Sequence, residues 1–472
     1  MYSCLVSDFV RGGVLAVMKA KSYEIDMCNG PLLGKIFRFS IPLMFSGILQ
    51  LLFNAADIVV VGRFAGHQAL AAVGSTGALI NLLINVFIGL SVGTNVLVAN
   101  YMGSRQERAV SETVHTSILL SVVCGTFLVF LGVLLAKPLL TLMGTPGDVL
   151  DQAALYMRIY FVGMPATMLY NFGAAVLRAQ GDTRRPLYFL FVAGVINVVL
   201  NLIFVICFHM GVAGVATATV ISQCVSALLA ARCLMREEGF CRLELHKLKI
   251  HKSRLLLMLR IGLPAGMQGA IFSISNVLIQ SSINSFGSVA MAGSTAASNI
   301  EGFVYTSMNA FHQTAVSFTS QNFGAGKKER INKVLILCQI SVFLVGAVMG
   351  NLAYLFGDKL LLIYSSDPEV IRLGMLRLQI ICTVYFICGM MDVMVGSLRG
   401  LGYSVMPMIV SLAGACGLRV IWIFTVFQWF RSLRVLFLSY PVSWLITALA
   451  HLGCYIYVKK KLDKNMQGAD LR

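Results

Sequence analysis

Three carboxylates stand inside long apolar runs of this sequence: Asp57, Glu301 and Asp392. If those runs cross a membrane, each acid is a candidate for handling an ion or substrate, because no bulk water solvates it there. Asp57 closes the motif Asn54-Ala-Ala-Asp57. Asn197 and Asn201 are four residues apart, which places both amides on one face of a helix. Thr217 and Thr219 belong to the following run. At about 1.5 Å of rise per residue, Asp57, Asn201 and Thr219 share a depth of roughly 8–12 Å below one surface, with Asn197 one turn deeper. A carboxylate, two amide oxygens and a hydroxyl at one depth suit a proton or a hard monovalent cation, because oxygen donors replace its hydration shell. The competing reading is that the Asn and Thr side chains only hydrogen-bond between helices.

The second half of the chain offers a different set. Glu301 and Arg419 fall at depths that allow a buried pair, whose plain role is mutual neutralisation. Asp392 precedes Arg399 by seven residues and either lines a vestibule or pairs with that arginine. Gln313, with Gln50, Gln268, Gln280, Asn284 and Asn309, adds polar groups to apolar runs, where each serves a cavity or an interhelical hydrogen bond. His312 reads as a satisfied interior histidine rather than a proton relay. The 29 Phe, 15 Tyr and 23 Met would allow an adaptable wall for flat cations.

These groups have to be positioned by membrane-spanning helices. Of the 472 residues, 58% are hydrophobic and only 12% charged, where soluble domains average about 25% charged. Runs near the 20 residues that a spanning helix needs occur at 37–62, 70–100, 113–136, 152–177, 187–208, 212–234, 255–284, 288–318, 334–356, 369–397, 404–428 and 434–458. The fold class is therefore all-α and polytopic, with 12 transmembrane helices. The net charge of +17 sits mainly in short loops, so it reports topology rather than nucleic-acid binding. With both termini placed inside, 28 Lys and Arg fall on inside segments against 6 outside, which predicts a multi-pass membrane protein with cytoplasmic termini. No cleavable signal peptide, Walker-type loop, metal-ligand cluster or catalytic constellation stands out. The expectation is a transport protein and not an enzyme, with no cofactor, acting as a monomer.

The two halves superpose in sequence at an offset of 221 residues. Arg178-Ala-Gln-Gly181 falls on Arg399-Gly-Leu-Gly402, Tyr101-Met-Gly103 on Asn322-Phe-Gly324, and Pro42 on Pro264 with one residue extra. Six spans per repeat give two parallel lobes related by an axis along the membrane normal. The expected organisation is an N-terminal segment 1–35, a first lobe 36–235, a linker 236–253, a second lobe 254–460 and a tail 461–472. Pro42 and Pro264 are expected to start their helices, and Pro165 to kink the fourth.

Ser40-Ile-Pro42, Asn54-Ala-Ala-Asp57 with Val61-Gly-Arg63, Leu177-Arg-Ala-Gln-Gly-Asp182, Gly211-Val-Ala-Gly214 with Ala218-Thr219, Gln321-Asn-Phe-Gly-Ala-Gly-Lys327 and Leu398-Arg-Gly-Leu-Gly402 together resemble the multidrug and toxic compound extrusion (MATE) family over residues 35–460. The resemblance implies a two-lobed transporter that opens alternately to either side and exports cationic amphipathic compounds in exchange for Na+ or H+. It implies that Asp57 is the coupling acid and that Asn197 and Thr219 are its partners. Asn201 stands where prokaryotic relatives often have Asp, which halves the formal charge of the site and leaves the coupling ion open. The stretch 267–280 lacks the acid that one branch carries in its seventh helix. A lipid-linked saccharide flippase shares the fold and is the alternative; it would expose several basic side chains in its cavity.

Overall fold

The computed structural model describes residues 23–467; residues 1–22 and 468–472 of the expected terminal segments lie outside the described residues. Twelve long helical segments follow in order: α1 (Leu32–Phe64), α2 (His67–Gly103), α3 (Glu107–Leu142), α4 (Gly147–Val162 continued by Met164–Ala179), α5 (Arg184–Leu202), α6 (Gly211–Met235), α7 (Lys252–Asn284), α8 (Ser288–Gly324), α9 (Lys328–Leu355), α10 (Pro368–Ile381 continued by Phe386–Gly400), α11 (Val405–Ser411 through Val426–Trp429) and α12 (Leu433–Gln467). Each falls on one expected span. Helices dominate because every backbone N–H and C=O must be satisfied within its own segment in hydrocarbon.

Among the described residues, nine unbroken helices and the two bent ones are long and apolar enough to cross a membrane. The twelfth, α8, is long enough at 37 residues but carries Ser294, Asn299, Glu301, Asn309, His312, Gln313 and Gln321. Ser294, Glu301, His312 and Gln321 are buried in a helix that packs against α1, α2, α9 and α10, while Asn309 and Gln313 are partly buried. The bends occur at repeat-related places, 47° in α4 and 46° in α10. In α4 the break is at Gly163, with Pro165 early in the second piece, where its missing N–H costs nothing. In α10 a 3₁₀ turn, Cys382–Val384, makes the same bend without proline.

One expectation about helix starts needs correction. Pro42 and Pro264 lie inside α1 and α7, which begin at Leu32 and Lys252. Basic residues such as Lys35, Arg38, Arg254 and Arg260 made the starts read as loop, although a helix projecting past the hydrocarbon keeps such residues solvated. Two helices also pack into a buried cluster of the other half. Leu32, Ile36, Phe39 and Leu43 of α1 pack into the core of the second lobe, while Met258 and Ile261 of α7 pack into that of the first.

With an even number of spans, the start of α1 and the end of α12 lie at one face, the terminal face. The lobes are joined on that side. Ser40 Oγ meets Thr314 Oγ1 at 2.7 Å, Ser317 donates to Asn95 Oδ1 at 3.0 Å and Ser320 to the Val96 carbonyl at 2.6 Å. Arg254 spans to Glu112 and to the Tyr101 hydroxyl. The Met27 carbonyl accepts from Asn322 and Arg330, so the segment before α1 ties the ends together. Towards the far face, no hydrogen bond links the lobes among the described residues.

The closest approach is reciprocal. A Cβ on Gly103 would collide with the Gln321 carbonyl, and one on Gly324 with the Asn100 carbonyl; the offset of 221 maps one pair onto the other, Gly103 onto Gly324 and Asn100 onto Gln321. Backbone cannot rotate away as a side chain can, so Gly103→Val should hold the lobes apart at the terminal face. Cys28, half-buried with its Sγ 3.7 Å from the Gln321 carbonyl, reports on this seal. Burial pushes its thiol pKa up, so opening should raise both its access and its reactivity. The expected result is at least a tenfold gain in maleimide labelling of Cys28; unchanged labelling would show that the seal is not set by this contact.

Candidate functional site

Asp57, Asn197, Asn201 and Thr219 converge in the first lobe as their depths implied. Asn201 Nδ2 donates to Asp57 Oδ1 and, at 3.2 Å, to Asn197 Oδ1. Asn197 Nδ2 reaches Thr219 Oγ1 at 3.3 Å, and that hydroxyl donates to the Val215 carbonyl at 2.9 Å. Asp57, Asn197 and Asn201 are buried, Asn201 completely. The i, i+4 spacing places both amides on one face of α5, and a π turn at Ile203–Cys207 begins two residues beyond Asn201. Thr217 takes no part; its hydroxyl donates to the Ala213 carbonyl one turn back in its own helix.

Two features define what this cluster can do. Asp57 has amide and hydroxyl neighbours but no basic partner among the described residues. Asn201 Oδ1 is buried without a hydrogen-bond partner. A buried carboxylate without a counter-charge is costly, and an orphan carbonyl oxygen beside it adds a second acceptor. Together they can take up a proton or a monovalent cation. Tyr156 and Tyr160 of α4 lie within electrostatic range of Asp57 and were missed from the sequence; their i, i+4 spacing was the available signal.

In the second lobe Glu301 is paired, but not with Arg419. Arg377 grips it through two bonds of 2.8 Å, from Nε to Oε1 and from Nη2 to Oε2, while Nη1 reaches Ser294 Oγ at 2.6 Å. Arg377 lies on the first piece of α10, which packs along α8; α11, which carries Arg419, packs on α7 and α12 instead. Arg419 stacks over Tyr440 at 4.2 Å and donates to Ser443 at 2.9 Å. Asp392 forms no ion pair among the described residues. Its neighbours are the Tyr305 hydroxyl and, at longer range, Arg399, whose guanidinium donates to Gln268 Oε1 at 2.7 Å. His312 Nδ1 is satisfied by the Asp392 carbonyl at 2.6 Å.

Between the lobes lies a cavity of ≈ 470 Å³, within the range that holds a drug-sized molecule. Gln50 and Asn54 of α1, Asn95 of α2, Tyr170, Asn171 and Arg178 of α4, and Tyr305, Asn309, His312 and Gln313 of α8 line it. Gln313 donates to Asn309 at 3.1 Å. Gln268 is buried against Arg399 instead, and Gln280 and Asn284 bond each other at an exposed place. None of the described residues lining the cavity is a carboxylate. Arg178 was read from sequence as a loop residue, although α4 continues to Ala179.

Comparison with known proteins agrees with this architecture. Residues 42–203 and 264–425 each match the MatE family, the two matches starting at the repeat-related prolines. The probable multidrug resistance protein YoeA of Bacillus subtilis (strain 168) is 28% identical over 432 residues, covering 90% of this chain and 93% of its own. An FAD transporter of Shewanella oneidensis is 22% identical over 444 residues, covering 92% and 96%. A solved structure described as the outward-facing conformation of a multidrug resistance MATE family transporter matches with a TM-score of 0.87 at 22% identity, covering 93% of this chain and 98% of that chain. Repeat, twelve-helix fold and family match coincide, and the chain belongs to the MATE family of membrane transporters.

Proposed function

We propose that this protein is a secondary antiporter that exports small amphipathic molecules in exchange for Na+ or H+, and that Asp57 carries the coupling charge. The observation that carries this reading is a buried carboxylate with no basic partner, beside the orphan carbonyl oxygen of Asn201. Of the three intramembrane acids, Glu301 is already neutralised by Arg377 and Asp392 faces Tyr305 and Arg399. The Lys and Arg asymmetry assigns the terminal face to the cytoplasm, which makes the sealed state outward-facing. In that state an ion reaches Asp57 from outside. Neutralising Asp57 removes the cost of its burial and so shifts the balance between the two states of the lobes. The ion leaves when the seal at Gly103 and Gly324 opens inward, and the cavity then loads its cargo.

Curated relatives are named for multidrug resistance and for FAD transport, so family membership leaves the cargo open. The cationic class implied by resemblance finds no carboxylate in the cavity to receive it. A flippase would need several basic groups there, and Arg178 is the one Arg or Lys among the described lining residues. In proteoliposomes, a Na+ gradient and a pH gradient imposed separately should show that at least one drives efflux of a fluorescent amphiphile. Efflux indifferent to both gradients would contradict antiport.

Asn201→Asp tests the single-acid site. Two carboxylates within a few Å disfavour double ionisation, so one apparent pKa rises and the values belong to the pair. The variant should show a pH profile of transport displaced upward, or a gain of Na+ dependence, with the same range of cargo. Profiles that overlay those of the parent would place Asn201 outside the ion site.

A further inference from the structure

The charge of the cavity points away from cationic cargo. Arg178 sits in the last turn of α4 with its side chain at the cavity wall. It has neither an ion pair nor a hydrogen bond among the described residues; its nearest titratable neighbour is the Tyr170 hydroxyl, which itself donates to the Pro186 carbonyl at 3.2 Å. Its repeat-related counterpart shows what a structural arginine does at this position. Arg399 is bound by Gln268 and has Asp392 within electrostatic range. The first lobe supplies Arg178 with no such partner, and Asp57 does not line the cavity. A guanidinium at the wall of this cavity holds five donors in a fixed fork that matches carboxylate, sulfonate or phosphate oxygens. The same cavity is lined by Tyr170, Asn171, Asn95, Tyr305 and Gln313, which offer aromatic faces and amide groups to the remainder of a planar molecule.

We infer that the interlobe cavity selects an aromatic molecule bearing a carboxylate, sulfonate or phosphate group, anchored by Arg178. This rests on the reading of that cavity as the cargo site of an exporter. An anion leaving as a cation enters moves charge in the same sense, so such transport is electrogenic. An inside-negative potential should accelerate it, whereas exchange of one monovalent cation for another would not respond.

The test uses carboxyfluorescein as the anionic probe and ethidium as the cationic one. Binding to purified protein in detergent is read by fluorescence anisotropy, and efflux from proteoliposomes is read with the potential clamped by K+ and valinomycin. Carboxyfluorescein should bind the parent, and binding should weaken at least tenfold in Arg178→Gln and be partly kept in Arg178→Lys. Ethidium binding should be unchanged or stronger in Arg178→Gln. An unchanged melting temperature of Arg178→Gln guards against misfolding, with the Lys variant as the second check. Failure of the parent to bind carboxyfluorescein, or equal binding by parent and Arg178→Gln, would overturn the inference even if ethidium is exported. Binding that depends on Arg178 without gradient-driven efflux would instead uphold the inference about the cavity and overturn the exporter reading.

Discussion

Asp57→Asn should yield a folded, membrane-inserted protein whose gradient-driven efflux falls at least tenfold, to the level of passive leak. The substitution preserves shape and removes the intramembrane carboxylate of the first lobe, which has no basic partner among the described residues, so no buried charge remains there for an ion to neutralise. Because an unpaired buried charge is a cost rather than a support, the variant should melt at or above the temperature of the parent. Transport loss with retained stability is the signature of a coupling residue. Full gradient-driven efflux by Asp57→Asn would remove Asp57 from the mechanism and leave Asp392 as the remaining unpaired acid.

Breaking the second lobe's ion pair should have the opposite character: a loss of stability first. Glu301 and Arg377 are buried and bidentate. Glu301→Gln or Arg377→Met alone strands a charge and should cost about 3–5 kcal/mol. Removing both with Glu301→Gln and Arg377→Met leaves no charge behind and should cost less than the sum. Arg419→Met should couple weakly with Glu301, because Arg419 is held by Tyr440, Trp444 and Ser443. A double-mutant cycle scored by unfolding in detergent separates the pairs. Additivity at 301 and 377, or stronger coupling between 301 and 419, would contradict the observed geometry.

The contrast between the lobes shows what a sequence of this kind makes legible. Span number, repeat and the Asp57 cluster follow from composition and spacing, because one dimension decides them: hydrophobicity along the chain gives depth, and i, i+4 spacing gives a common face. The partner of Glu301 was not legible by the same route. Depth admits Arg377 and Arg419 alike, and only the packing of α10 rather than α11 against α8 chooses between them. Helix ends were read too short where charge was taken as the sign of a loop, which hid the position of Pro42 inside α1 and of Arg178 inside α4. The crossing of α1 and α7 into opposite cores depends on contacts between segments more than 200 residues apart, and no local pattern records it.

The central claim is that export is coupled to entry of one monovalent ion at Asp57. The most direct measurement records cargo efflux and ion entry together in proteoliposomes, with an internal pH dye and radioactive Na+ as the two ion readouts. A single unpaired carboxylate neutralised by a single charge predicts one H+ or one Na+ entering per cargo molecule exported, and loss of both fluxes in Asp57→Asn. Export that proceeds with no accompanying ion, or ion entry that survives Asp57→Asn at the parental ratio, would contradict the account.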